Sequence, residues 1–339
     1  MYPKQVKQII ANAVEHPRET PAIFLEGPPG IGKSAIPKQV SEAKAIGWLD
    51  TRASQHDPTD FRGIPAIIDG KAIWLPPQDI PFDFHDNIPE RGIWLLDEVT
   101  SAPPLVQAVL YQAILDHQVG EHRLKPDWYI IAAGNRIEDR AVTYRMSTAL
   151  SNRFVHINFE VSLDDWIEWA TWDKINPNII AFMRFKPDVL FAFNPESSEK
   201  AFPTPRTWEF ASKMIQVTPS KLLPEMLEGT VGKGATAEFM AFLKVQTELP
   251  DLKTIYGGDN FWPKRMDLKY ALVAALATRS KGVKEFERMV TYSDNIDTEF
   301  AILLLSMLVG KDEDSMAAAP SFERWARKHS DVIVSKKML

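Results

Sequence analysis

Gly27-Pro28-Pro29-Gly30-Ile31-Gly32-Lys33-Ser34 fits the pattern G-x-x-x-x-G-K-[ST]. In such a turn, backbone N–H groups close around phosphate oxygens, and the positive end of the following helix adds to the field. Lys33 would set a mobile ammonium against the phosphates, and the Ser34 hydroxyl would ligate Mg²⁺. A second chemical group lies in GIWLLDEV, where the apolar residues Ile93 to Leu96 run into Asp97 and Glu98. A carboxylate at the tip of a buried strand beside a phosphate loop suits Mg²⁺ held through water, the role assigned to Asp97. The adjacent Glu98 can polarise a water for attack on a terminal phosphate. Third, Asn135 follows the apolar run WYIIAAG. A short amide there can position the attacking water or touch the phosphate, although a turn is the plainer use of an asparagine.

These groups need elements to hold them. PAIFLEG reads as a buried strand, followed by a helix from about Lys33 to Ala45 and a strand near Ile46 to Asp50. Pro37, inside that helix, should remove a backbone hydrogen bond or kink the first turns. GIWLLDE and WYIIAAGN read as buried strands, and LVQAVLYQAILDHQ between them has helical spacing. Strands alternating with helices imply a parallel sheet covered on both faces. Beyond about Glu160 the pattern becomes helical. SLDDWIEWATW opens with Ser162 three residues before Asp165, a helix-start signal, and six further segments carry helical periodicity without strand pairs. The expected organisation is an α/β domain over residues 1–160 and an all-helical domain over 161–339, with a C-terminal helical extension.

Composition narrows the function classes. The chain has 339 residues, a formal net charge of -6 and no cysteine. Disulfides and thiolate metal sites are excluded, and a reducing, cytoplasmic setting fits. The acidic balance argues against a surface that coats nucleic acid. The opening segment lacks the apolar core of a signal peptide, and the longest apolar stretch, Ala301 to Val309, is too short to span a bilayer. A soluble protein is expected.

The ordered set GPPGIGKS, WLLDE, AAGN, LSNRF and TPRTWE resembles an AAA+ ATPase, and more narrowly the MoxR branch; the match covers roughly residues 20–215. The resemblance implies a P-loop αβα sandwich followed by a helical lid, with ATP and Mg²⁺ bound. It puts Lys33 and Ser34 on the Walker A positions, Asp97 and Glu98 on Walker B, and Asn135 on sensor 1. Arg153 falls where the family places the arginine finger that reaches a neighbour's γ-phosphate. The residue before it is Asn152 where the family usually has an acid, and Arg145 and Arg140 are nearby competitors. Arg206 matches sensor 2, with Thr204 as helix cap and Pro205 at the first helical position. In GIPAIIDGKAIWLPP two apolar runs flank Asp69-Gly70, a hairpin signal, where MoxR-like proteins carry an insertion. QVGEHRLKPDWYI supplies a second hairpin, and in this family such loops line a ring's pore; ordinary surface hairpins are the alternative.

The resemblance therefore implies a homo-oligomeric ring, hexameric, that hydrolyses Mg²⁺-ATP to remodel or activate a partner protein, one with a von Willebrand A-type domain among the candidates. Two rivals stand beside it: a DNA-directed motor or loader of the same fold, and a structural ring that binds nucleotide with negligible hydrolysis. The basic tail RWARKHSDVIVSKK is the only support for the first. The intact Asp97-Glu98 pair argues against the second.

Overall fold

A computed structural model describes residues 1–139, 144 and 146–329. The chain divides into two compact units, Met1–Val161 and Ser162–Leu339. The first begins with α1 (Pro3–Ala13), β1 (Ile23–Glu26), α2 (Ala35–Lys44) and β2 (Gly47–Arg52). It continues through α3 (Pro58–Arg62), the strands β3 (Ile64–Ile68) and β4 (Lys71–Leu75), β5 (Arg91–Asp97) and α4 (Pro104–Asp116). The short strands β6 (Gln118–Val119) and β7 (His122–Arg123), then β8 (Asp127–Gly134), α5 (Thr148–Ser151) and β9 (Val155–Asn158) complete it.

Five strands form one parallel sheet in the order β2-β5-β8-β1-β9. Parallel neighbours need crossovers, so helices cover the faces and both sides of each central strand become apolar. Ile23, Phe24 and Leu25 on β1 and Ile93 to Leu96 on β5 are accordingly all buried, although alternate residues point to opposite faces. On one face Phe24, Trp94, Leu96, Trp128 and Leu110 share a core. The one polar atom that Trp94 brings there is satisfied, since its indole N–H donates to the Thr51 hydroxyl at 2.9 Å. Close approach dictates small residues at the strand ends. A Cβ on Gly134 would sit 2.7 Å from Thr100 Oγ1 and 2.9 Å from Phe24 Cζ.

Two details differ from the sequence reading. The helix after the phosphate loop begins at Ala35 rather than Lys33. Pro37 has no N–H to give to the Lys33 carbonyl, so the first turn is left open. At the third helical position its missing N–H costs no bond interior to the helix. Strand β9 was not anticipated. Only Ile157 of its four residues is buried, so it shows no apolar run, and pairing with β1 makes it a strand.

Beside the sheet, β3 and β4 pair as a separate antiparallel hairpin. Its turn is Asp69-Gly70, with φ of 52° and 74°, the left-handed pair that this dipeptide favours. The hairpin is apolar yet open to solvent: Ile64 is 70% exposed and Ile67 82% exposed. Strands β6 and β7 form a second, two-residue-long hairpin around Gly120.

The second unit is helical throughout its described residues. It comprises α6 (Leu163–Trp172), α7 (Pro177–Phe185), α8 (Pro205–Val217), α9 (Leu223–Val231), α10 (Lys233–Val245) and α11 (Leu252–Tyr256). These are followed by α12 (Met266–Arg279), α13 (Gly282–Ser293), α14 (Thr298–Lys311), α15 (Glu313–Ala317) and α16 (Phe322–Lys328). Ser162 caps α6 by accepting the Asp165 N–H at 3.2 Å. Thr204 caps α8 by accepting the Thr207 N–H at 3.1 Å, with Pro205 as the first helical residue. Phe182, Trp208 and Phe239 meet in its core in tilted and edge-to-face pairs with centroids 5.3 to 5.8 Å apart. Among the described residues, no helix is long and apolar enough to cross a membrane.

Candidate functional site

The carboxyl ends of β2, β5, β8 and β1 lie side by side in the sheet, and each is followed by a loop carrying a polar group. In open parallel sheets this edge, where the chain order reverses, is where ligands bind. The order reverses beside β1, whose neighbours are β8 and β9.

The loop Gly27–Ser34 follows β1. Gly27 packs too tightly for a side chain, since a Cβ would meet the Phe159 carbonyl oxygen at 2.8 Å. Gly30 and Gly32 have φ of 76° and 103°, left-handed conformations that glycine adopts without strain. The position where Gly32 would carry a Cβ opens on space, so nothing in the chain fills the inside of the turn there. Lys33 is folded into this loop. Its ammonium donates to the carbonyls of Gly27 (2.7 Å) and Pro28 (2.8 Å) and to Asn135 Oδ1 (3.0 Å). A buried ammonium demands such acceptors, and phosphate oxygens could exchange for them.

Asp97 ends β5, and its Oδ2 accepts the Ser34 hydroxyl at 2.6 Å. Two hard oxygen ligands from different elements are thus already adjacent. Among the described residues no cluster of three or more His, Asp or Glu could hold a metal unaided. Two protein oxygens are the usual complement for Mg²⁺ when waters and phosphates supply the rest, so the donor set fits that ion.

Glu98 adopts the left-handed conformation, φ 57°, which is costly for a residue with a Cβ. Two bonds hold it there. Its N–H donates to Asp97 Oδ1 at 2.8 Å, and its carboxylate accepts the hydroxyl of Ser54, in the turn after β2. The result turns Glu98 away from its neighbour, so two consecutive acids serve different places. Asn135 stands at the end of β8, where the Thr100 hydroxyl donates to its carbonyl at 3.3 Å. The Ser54 contact escaped the sequence reading. A lone serine after a strand carries no pattern, and only the pairing of β2 with β5 brings it to Glu98.

Lys33, Ser34, Asp97, Glu98 and Asn135 are therefore together. Arg153 is elsewhere in this unit. It precedes β9, at the amino ends of the strands, with its guanidinium 4.4 Å from the Tyr111 ring centroid and Nη1 donating to the Ala149 carbonyl at 2.6 Å. Arg206 is an exposed residue in the first turn of α8, in the second unit. Arg140 and Arg145 lie outside the described residues.

Fold and site together define a P-loop αβα core followed by a helical unit. No family model and no curated protein matches the chain. Among solved structures it is similar to the Thermotoga maritima RuvB Holliday junction branch migration motor, at 17% identity over 82% of this chain and 81% of that one, with TM-score 0.39. NtrX from Brucella abortus in complex with ADP gives 15% identity over 98% of this chain and 68% of that one, TM-score 0.40. A putative ATPase from Cytophaga hutchinsonii gives 14% identity over 98% of this chain and 89% of that one, TM-score 0.35. Likeness at this level carries no function across; the residues themselves must.

Proposed function

We propose that the chain is a Mg²⁺-dependent ATPase of the AAA+ kind, of the MoxR-like branch, working as a hexameric ring that remodels or activates a partner protein. The observation that supports this best is the convergence of Lys33, Ser34, Asp97, Glu98 and Asn135 at one sheet edge. Mg²⁺ bound with the nucleotide would neutralise phosphate charge and orient the terminal group. Lys33 would give up its loop carbonyls for phosphate oxygens, while the N–H groups of the turn bind the rest of the chain of phosphates. Glu98, aimed by Ser54, would orient the attacking water and take its proton, with Asn135 holding the water in line. Arg153 would complete the site of an adjacent copy, and Arg206 would couple nucleotide state to the helical unit. The solvent-exposed hairpin of β3 and β4 offers an apolar surface for the partner, for which a von Willebrand A-type domain is the candidate the motif resemblance raises.

Glu98→Gln is the test. It should bind ATP as the native chain does, release no phosphate, and retain the partner protein on affinity capture. Native-rate hydrolysis would remove Glu98 from the chemistry. Strong stimulation of the native chain by duplex DNA, lost at high salt, would instead favour a DNA-directed motor.

A further inference from the structure

A cavity of about 270 Å³ opens at the amino ends of β1 and β8, bordered by Arg18, Glu19, His117, Tyr129 and Arg153. That is room for several waters, or for one tetrahedral oxyanion with its first hydration. Its walls carry more positive than negative charge. Arg153 lies along it with Nε buried and, among the described residues, no hydrogen-bond acceptor for that N–H. Arg18 is exposed, and among the described residues no carboxylate pairs with it. The single acid of the wall, Glu19, lies 3.8 Å from the imidazole of His16. Burial, and then the nearby Arg18 charge, hold His117 below the ordinary histidine pKa, so at neutral pH it adds no third cation. Two arginines against one acid, Arg18 having no carboxylate partner among the described residues, leave the wall with uncompensated positive charge that calls for an anion.

That anion cannot be this chain's own phosphate. The cavity begins at Ala22, before β1, while the phosphate loop begins at Gly27, after it. Five residues of extended strand place the two edges roughly 16 Å apart on opposite ends of the sheet. We propose that Arg18 acts beside Arg153 as a second cation on the terminal phosphate of a nucleotide held by an adjacent copy of the chain. The inference rests on the ATPase-ring reading above and adds to it a catalytic residue from the segment between α1 and β1. Arg153, stacked on Tyr111, is the fixed donor. Arg18 is the mobile one, able to swing onto the phosphate as the copies close together.

Arg18 is at the surface, so its replacement leaves the core intact. Arg18→Ala should bind ATP with unchanged affinity and assemble normally, but turn over about a hundredfold more slowly, as expected for loss of one charged donor at the reacting phosphate. Mixing it with Lys33→Ala, itself inactive, should recover part of the turnover, because each Lys33→Ala copy presents an intact Arg18 to a neighbour's working loop. Arg18→Lys should retain most of the activity. Native turnover in Arg18→Ala, no recovery on mixing, or a loss explained wholly by dissociation into monomers would each overturn the proposal. The last would mean that a neighbour's carboxylate fills the cavity. Arg153→Ala, run in parallel, separates this failure from that of the broader reading. If Arg153→Ala is inactive and rescued by mixing while Arg18→Ala is native, only Arg18 falls. If neither Arg153→Ala nor Lys33→Ala impairs hydrolysis, the ring ATPase falls with it.

Discussion

Asp50, on β2, carries the cost of the site. Its side chain is open to solvent on one side, yet partial burial, then the charges of Asp97 and, more weakly, Glu98 raise its pKa above the usual 3.8, while Arg52 and Lys38 pull the other way. A carboxyl with a raised folded pKa binds its proton more tightly in the native state. Its contribution to stability is favourable below 3.8 and is lost as pH rises through the raised value. Near neutral pH the ionised group therefore destabilises the fold. Asp50→Asn should raise the thermal midpoint there, and the gain should shrink as the pH falls toward 3.8. Thermal melts at a series of pH values measure this; an equal gain at every pH would assign the effect to packing. At this scale the sequence displays what recurs as a pattern. Lys33, Ser34 and Asp97 stand out because glycine spacing and a strand-end acid are visible in one dimension. Asp50 and Ser54 do not, since each becomes relevant only when β2 is laid against β5.

Between α3 and β3 the chain turns at Gly63, φ 93°, where an added Cβ would lie 2.0 Å from the Leu75 carbonyl oxygen. Both objections fall on backbone, so nothing flexible can yield. Gly63→Ala should pry β3 from β4 and expose their amides. Hydrogen exchange over residues 64–75 should then quicken by at least tenfold, the effect of about 1.4 kcal/mol of local strain. Exchange across β1, β5 and β8 should be unchanged; uniform acceleration would show that the hairpin is not an independent element. The hairpin was legible because Asp69-Gly70 punctuates two apolar runs, and β1, β5 and β8 were legible because burial on both faces leaves unbroken apolar stretches. Strand β9 was hidden by its exposure, and the true start of α2 by the missing N–H of Pro37.

For the molecule entire, strands alternating with helices in Met1–Val161 give way to helices in the described residues of Ser162–Leu339. What sequence could not show is how nucleotide would act on the helical unit. Arg206→Ala tests that link. If the proposed coupling holds, ATP should change the protease sensitivity of residues 162–329 in the native chain, and the variant should keep its fold but lose that change. An undiminished response would take Arg206 out of the coupling. The native ATP affinity should fall severalfold at most, because the phosphate loop itself is intact.

On the ring reading proposed above, the phosphate loop at one edge of the sheet and the Arg153 cavity at the other would give each copy a head and a tail. Two copies related by a two-fold axis would bring like edges together and complete neither site. Copies stacked in sequence complete every site but the terminal one, so an open row always wastes one loop and one arginine. Closure into a circle would recover that lost site. Specific activity should then depend on dilution more steeply than a pairwise contact would give, because breaking any one junction idles a site on a circle that was whole.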